Sequence, residues 1–529
     1  MSPDSGLVFF AGAGISSGPR GIPATADLIR QLLEAAVGAN PTLRGLLPAP
    51  PVMGKVGFEM VLNDLWQICR DAVPAFFDWL ASLDDAASPN PAHSFLSAWV
   101  AAGGSVITTN YDRLIERTGE CVVRFDRDAD DGRGFSRWAS DLSGGALFKI
   151  HGSLERPSSC LAALEHVGTT VAGARRDLLM QVFRERPVCV VGWAGADPDI
   201  PPVIHAALAE RSPDLPLFWV HHTAMSPASV SPLLRDASLI RPIYGEVDVV
   251  FAALYARASA ARRRPGLAGA GQPATAPLAA FRRCTLSGAS RFVGIALRRG
   301  GREALALKVF DVAADQAAGS AEWAAARQER ALTLWGSARG QVQRELAARR
   351  IVADVVGRLG REGATPADMR GPLFGLLSMT ISLSAHRRWL LLQIPGLLRA
   401  MRRSIADARA SGADEVDVAI QEALTDLYSG RTRLALSGGL ARRIMPIRHW
   451  VLAPFERARR AVASLPDRSL HAAFDVRAGY AVALATLGDC EKSLTDVPEL
   501  DRLSLLLSDE RRRHHWLEQR VRLVMLCGS

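Results

Sequence analysis

The chain has 529 residues, 48% of them hydrophobic, with 63 Lys and Arg against 54 Asp and Glu. At roughly 100–200 residues per domain this suggests two to four domains, and the apolar content excludes a disordered chain. No apolar run reaches the roughly 18 residues of a membrane span, the N-terminus lacks the pattern of a signal peptide, and seven scattered cysteines without a CxxC pair suit a reducing cytoplasm and argue against structural zinc.

Residues 1–255 alternate strand and helix signals. "LVFFAG" (7–12) is a short apolar run ending in glycine, and "TADLIRQLLEAA" (25–36) has helical spacing behind a cap-like Thr25. "FEMVLNDLWQIC" (58–69) and "PAFFDWLASL" (74–83) read as amphipathic helices. "NPAHSFLSAWVAAGG" (90–104) is a helix with Asn90 as cap, Pro91 in the first turn and a Gly-Gly stop. Strands follow at "SVITT" (105–109), "ECVVRF" (120–125) and "ALFKIH" (146–151), and the segment after Asp112 reads as helix. A helix at "DLLMQVFRERP" (177–187) precedes strands at "VCVVGW" (188–193), "LFWVHH" (217–222) and "LIRPIY" (239–244). Near-continuous apolar strands alternating with helices predict an α/β fold, a Rossmann-like parallel sheet covered on both faces.

Residues 256–283 are rich in Pro, Gly and Ala and read as a linker. In residues 284–529, "RFVGIALRRGGREALALKVF" (291–310) reads as a β-hairpin around Gly300-Gly301. From about residue 318 the pattern is helical, including a start at Thr365-Pro366-Ala367-Asp368 with a carboxylate at the third position. Further helices are expected at 414–428 and 471–494, the last with a faint tetratricopeptide flavour. Charge divides along the same line. Residues 1–255 hold 20 basic and 28 acidic residues, net −8, and the remainder 43 and 26, net +17. The basic half suits an acidic partner, another copy of the chain, or nucleic acid.

Chemistry-bearing residues gather at predicted strand ends. "FFAGAGISSGPRGIP" (9–23) places Gly12 and Gly14 in a glycine-rich turn, where a backbone can approach a pyrophosphate. "NPAHSFL" (90–96), "VITTNYDRLIE" (106–116), "FKIHGS" (148–153) and "VVGWAGADPDI" (190–200) follow in order. Taken alone, Asn110 and Asp112 read equally as a helix cap, and His93 as a packed residue at the start of its helix.

In order and spacing these motifs resemble the sirtuin (SIR2) domain over about residues 5–255. They look most like the SIR2-like domains of bacterial anti-phage defence proteins. The resemblance implies that NAD+ is bound and its nicotinamide–ribose bond cleaved. It gives Asn110 the nicotinamide ribose and the attacking water, Asp112 the nicotinamide carboxamide with help from Ile22, and His151 the role of general base. Thr109 would line the cofactor, Ser16 with Ala13 and Gly14 would sit at the phosphates, and Gly192 and Asp197 would sit near the adenosine ribose. The chain departs from the family pattern in three ways. The four-cysteine zinc ribbon is missing, with only Cys160 and Cys189 nearby. "GIPATA" stands where the family has "GIPDFR", and one extra residue separates "GAGIS" from "GIP". NAD machinery without a peptide platform implies transfer of the ribose to water. The expectation is therefore a zinc-free, cytoplasmic NAD+ glycohydrolase, an abortive-infection effector controlled by a trigger, partner or homo-oligomer through its helical half. An NAD-dependent deacylase or ADP-ribosyltransferase, and a nucleic-acid-guided subunit beside a short Argonaute, are the alternatives.

Overall fold

The computed structural model describes residues 6–18, 20–47, 58–119, 123–125, 145–157, 159–160, 173–193, 195, 197, 199–221, 240–258, 281, 284–338, 340–384, 386–437, 440–465, 470–506 and 510–527. The linker expected at 256–283 lies almost wholly outside these residues. The chain divides into two compact units. One comprises Met1–Ala39 and Lys55–Cys284, the other Asn40–Gly54 and Thr285–Ser529. The short stretch 40–54 thus joins the C-terminal unit, although sequence order places it within the first 255 residues.

The first unit is built on a seven-stranded parallel sheet: β1 (Val8–Ala11), β2 (Ser105–Thr108), β3 (Val123–Phe125), β4 (Ala146–Lys149), β5 (Val188–Val191), β6 (Leu217–His221) and β7 (Ile240–Tyr244), in the order β3-β4-β2-β1-β5-β6-β7. The expected Rossmann-like α/β arrangement is present. β1 is buried at all four positions because helices cover both faces. Phe9 points to one face, edge-on to Phe95, Trp99 and Phe251, from helices Pro91–Ala101 and Val247–Ala258. Phe10 points to the other, against Phe183 of helix Gly173–Glu185 and Trp193. Adjacent aromatics on β1 therefore serve two separate cores, as the period-2 geometry of a strand requires. The chain leaves β1 for β2 on one side and later returns to β5 on the other. A sheet that reverses direction in this way opens a crevice at the carboxyl ends of β1, β2 and β5.

Three local expectations need correction. Helix Thr25–Gly38 starts at Thr25 with Ala24 at the cap position and no side-chain cap. The segment after Asp112 is a turn followed by the three-residue 3-10 helix Glu116–Thr118. Cys69 and Cys284 form a disulfide, with Cα atoms 5.4 Å apart, where the sequence suggested only free thiols. Among the described residues no helix is long and apolar enough to cross a membrane.

The second unit is helical, with successive helices packing mainly on their neighbours in sequence. The expected hairpin at 291–310 is instead two helices, Leu286–Arg299 and Glu303–Asp315. Thr285 caps the first through the Gly288 N–H. Gly301, at φ +75°, ends it: its N–H reaches the Arg298 carbonyl and the Arg302 N–H reaches the Leu297 carbonyl. A positive-φ glycine satisfies a helix C-terminus as readily as a hairpin turn. Burial decides between them, because Phe292 through Leu297 are buried in an unbroken run, with no alternation between faces. Thr365 and Asp368 form the reciprocal cap expected at the start of helix Pro366–Ser384.

Candidate functional site

Four loops meet at the carboxyl ends of the central strands β4-β2-β1-β5. The loop after β1 carries Gly12, Ser16 and Ile22, that after β2 carries Thr109, Asn110 and Asp112, that after β4 carries His151, and that after β5 carries Gly192, Asp197 and Asp199. Ser16, Thr109, Asn110, Asp112, His151 and Asp199 are all buried.

The glycine-rich loop does not lead directly into a regular helix. It forms one three-residue 3-10 turn, Ala13–Ile15, and regular helix begins only at Thr25. Its glycines serve the neighbouring loop. The Gly12 N–H donates to the Val191 carbonyl at 2.9 Å and the Gly14 N–H to the Gly192 carbonyl at 2.7 Å. A Cβ on Gly12 would lie 2.7 Å from the Trp193 Cα, and one on Gly14 2.8 Å from the Gly192 oxygen. Gly192 itself stands at φ +63° against Ile15. Close backbone packing thus accounts for these three glycines. Ile22 folds back, its N–H donating to the Ser16 carbonyl at 2.9 Å, and its side chain is buried.

The loop after β2 is held from several directions. The Thr109 N–H donates to the Ala11 carbonyl. The Thr108 hydroxyl donates to the same carbonyl and accepts the Asn110 N–H at 3.1 Å. Lys149, fully buried at the end of β4, donates to the carbonyls of Tyr111 and Asp112 and pairs with Glu116 at 2.8 Å. Burial raises the Glu116 carboxyl above its usual range, and Lys149 acts against that. Arg113 is anchored on the buried carboxylate of Asp84 at 2.6 Å. Backbone ordered by this many independent bonds holds the side chains of Asn110 and Asp112 in a fixed arrangement before any ligand arrives.

Those side chains converge on the Ser16 hydroxyl. It donates to Asp112 Oδ2 at 2.8 Å, accepts from Asn110 Nδ2 at 3.0 Å, and lies 3.1 Å from His93 Nε2. The proton positions follow from donor arithmetic. The Asn90 N–H donates to His93 Nδ1 at 3.1 Å, so a neutral His93 carries its proton on Nε2 and donates it to Ser16. Burial lowers the His93 pKa to about 4, with Asp112 opposing, so the neutral form is the one present near pH 7. Receiving two N–H groups, Ser16 gives its single proton to Asp112. Asp112 Oδ1 accepts the Leu114 N–H at 3.1 Å. His93 therefore both completes the reciprocal cap of its helix with Asn90 and reaches the site. Asn110 Oδ1 is buried and has no hydrogen-bond partner among the described residues.

On the other side, His151 Nε2 lies 3.2 Å from Asp199 Oδ2, with Tyr111 beside the imidazole at 6.2 Å between ring centroids. Asp197 accepts the indole N–H of Trp193 and is half-buried. Sequence reading missed Asp199, Lys149 and Thr108. Asp199 stands before Ile-Pro-Pro, where it reads as a helix cap. Lys149 carried a usable signal, a charge inside the apolar run "ALFKIH".

Residues 104–243 match the family model of the SIR2-like domain. The matched stretch is about a quarter of the chain. The match includes Thr109, Asn110, Asp112, His151, Gly192, Asp197 and Asp199. Ser16, His93 and the glycine loop lie outside it and are joined to it by the hydrogen bonds above. No curated protein matches the chain. Among the described residues no cluster of three or more His, Cys, Asp or Glu side chains is placed to hold a metal ion. Cys160 and Cys189 are buried, and burial pushes both thiols up to about 12. Cys189 lies inside β5.

Proposed function

We propose that the α/β unit hydrolyses NAD+ to ADP-ribose and nicotinamide. The observation that carries this reading is the convergence of Asn110, Asp112 and Ser16 with the His151–Asp199 pair at one end of a sheet that is SIR2-like. The residues suit the ligand. Asn110 Oδ1 is a buried acceptor with no protein partner among the described residues. An unmet buried acceptor is costly, about 1–3 kcal/mol, and ribose hydroxyls and a carboxamide N–H are matching donors. Asp112 spends one lone pair on each of two donors, and a carboxylate has about four acceptor sites, so it retains capacity for the carboxamide.

In the reaction the ribose–nitrogen bond breaks and its electron pair goes to the nicotinamide nitrogen, which leaves neutral from a cation. The water oxygen bonds to the ribose carbon as His151 takes the water proton. The developing positive charge on the ribose is met by the Asp112 carboxylate within a buried polar site, where such interactions are strong. Thr109, Ala13, Gly14, Gly192 and Asp197 are assigned to the outline of the cofactor pocket, with Gly12, Gly14 and Gly192 shaping it through backbone packing.

Two sequence features favour water as acceptor over an acylated peptide: the missing four-cysteine ribbon and the altered "GIPATA" loop. An unrestrained NAD hydrolase would deplete its own host. Control through the helical half, by a partner or by self-association, belongs to this reading, as does a role in anti-phage defence. Incubating the purified full chain with NAD+, with and without nucleic acid, and separating the products by chromatography tests it. Nicotinamide and ADP-ribose are expected; turnover only in the presence of an acetyl-lysine peptide overturns it.

A further inference from the structure

Asp199 occupies the position before helix Ile200–Ala209, where an aspartate ordinarily accepts a backbone N–H from the first turn. It makes no such bond, because Pro201 and Pro202 stand where the accepted N–H would lie, and its carboxylate is free of that duty. Its backbone lies in the helical region, at φ −98° and ψ −26°, away from the extended conformation usual for a cap. Its carboxylate instead lies 3.2 Å from His151 Nε2, and the two side chains are 13% and 5% exposed. The residues come from the ends of β5 and β4, which are separated in the sheet by β1 and β2. With no N–H to cap in its own first turn, the buried carboxylate has a histidine across two strands as its partner.

We infer that Asp199 is a positioning residue for His151. Its carboxylate accepts the Nε2 proton, which fixes the plane of the ring and leaves the basic lone pair on Nδ1. As the water oxygen bonds to the ribose carbon, the water proton passes to Nδ1, and the resulting imidazolium is paired with the Asp199 charge. Tyr111, from the loop after β2, flanks the imidazole. The inference rests on the proposed hydrolysis for its catalytic consequence, and the pairing itself can be tested without substrate.

The test uses Asn and Ser, which remove the charge of residue 199 and keep a small polar side chain ahead of the helix. If Asp199 acts only on its own helix, Asp199→Asn and Asp199→Ser keep full activity. If it positions His151, both variants lose kcat by roughly 10²-fold or more, while KM for NAD+ stays within about threefold. Independently of turnover, the His151 pKa, read by NMR of histidine-labelled full-length protein and assigned with His151→Ala, should fall by about one unit in Asp199→Asn, because a neighbouring negative charge is lost. In the unmutated protein, long-range 1H–15N spectra above that pKa should show the Nε2–H tautomer of His151. Near-unchanged kcat in both variants, an unmoved His151 pKa, or the Nδ1–H tautomer would each overturn the inference. A wild-type chain that releases no nicotinamide would sink the proposed hydrolysis and leave the two NMR measurements to decide the pairing.

Discussion

The two units differ in how most of their buried hydroxyls are met, although the helical unit has distant polar contacts of its own, Asn40 with Ser290 and Arg349 with Thr380. In the α/β unit the buried polar groups find partners far away in sequence: Ser16 with His93 and Asp112, Asn110 with Ser16, and His151 with Asp199. In the helical unit most buried hydroxyls turn back onto their own helix. Thr333 donates to the Glu329 carbonyl, Thr380 to Leu376, Thr425 to Gln421 and Thr432 to Tyr428. The local solution satisfies a hydroxyl within its own helix, and the buried side-chain atoms left without a hydrogen-bond partner among the described residues of this unit are arginine Nε donors, among them those of Arg291, Arg327 and Arg370. The long-range solution gathers donors and acceptors at one place and leaves Asn110 Oδ1 without a protein partner among the described residues. Chemistry is therefore to be sought in the first unit, and the polar burial of the second reads as helix construction.

The comparison breaks most directly at the site. Asn110→Ala and His151→Ala should each lower NAD+ turnover by roughly 10²–10⁴-fold while the protein keeps its circular dichroism spectrum. Folded variants that retain near-wild-type rates would remove the functional half of the contrast. Next in size is a pH effect confined to the α/β unit. His93 is held neutral, with a folded pKa of about 4 against 6.5 when unfolded. A depressed histidine pKa contributes stability that is full above 6.5 and is lost as pH falls toward 4. The loss amounts to about 3 kcal/mol at pH 4. Chemical denaturation between pH 7 and 4 measures it, and His93→Gln should flatten that part of the curve. An unchanged pH profile in the variant would show that His93 is not the group responsible.

Smaller changes are expected in the helical unit. A Cβ on Gly430 would meet the buried Phe455 ring at 2.6 Å. Gly430→Ala should therefore cost about 1–2 kcal/mol of stability, the crowding outweighing the better helix propensity of alanine. NAD+ turnover by the folded protein should be unchanged. Smallest of all, Thr425→Val removes one local hydroxyl bond, which the wild-type side chain makes to its own helix, and should cost less than about 1 kcal/mol with no effect on turnover. A large loss of activity from this variant would mean that the helical unit contributes more than packing to the chemistry.

How much was legible in the sequence follows the same division between local and distant partners. Strands β1, β2, β4 and β5 announce themselves as apolar runs, because a parallel sheet covered on both faces needs apolar residues at every position. Asn110, Asp112 and His151 are visible because they stand just past such runs. What failed was local signal with two meanings. Gly300-Gly301 suits a hairpin turn and a helix end equally, and only the burial of Phe292–Leu297 separates them. "DRLIER" has helical spacing, yet Lys149 and Asp84 tie its start into a turn. Asp199 resembles a cap, and its partner is 48 residues away. The assignment of residues 40–54 to the helical unit was likewise hidden. Asn40 caps helix Pro41–Leu46 while binding Ser290 and Gln316, 250 and 276 residues distant.

The most direct test of the account is the stoichiometry of NAD+ cleavage by the full chain with no acyl-peptide present, followed by 1H NMR alongside Asn110→Ala. The account predicts nicotinamide and ADP-ribose appearing in equal amounts with the wild-type protein and neither with the variant. Nicotinamide that appears only when an acylated peptide or another acceptor is added, or at equal rates from both proteins, would contradict it.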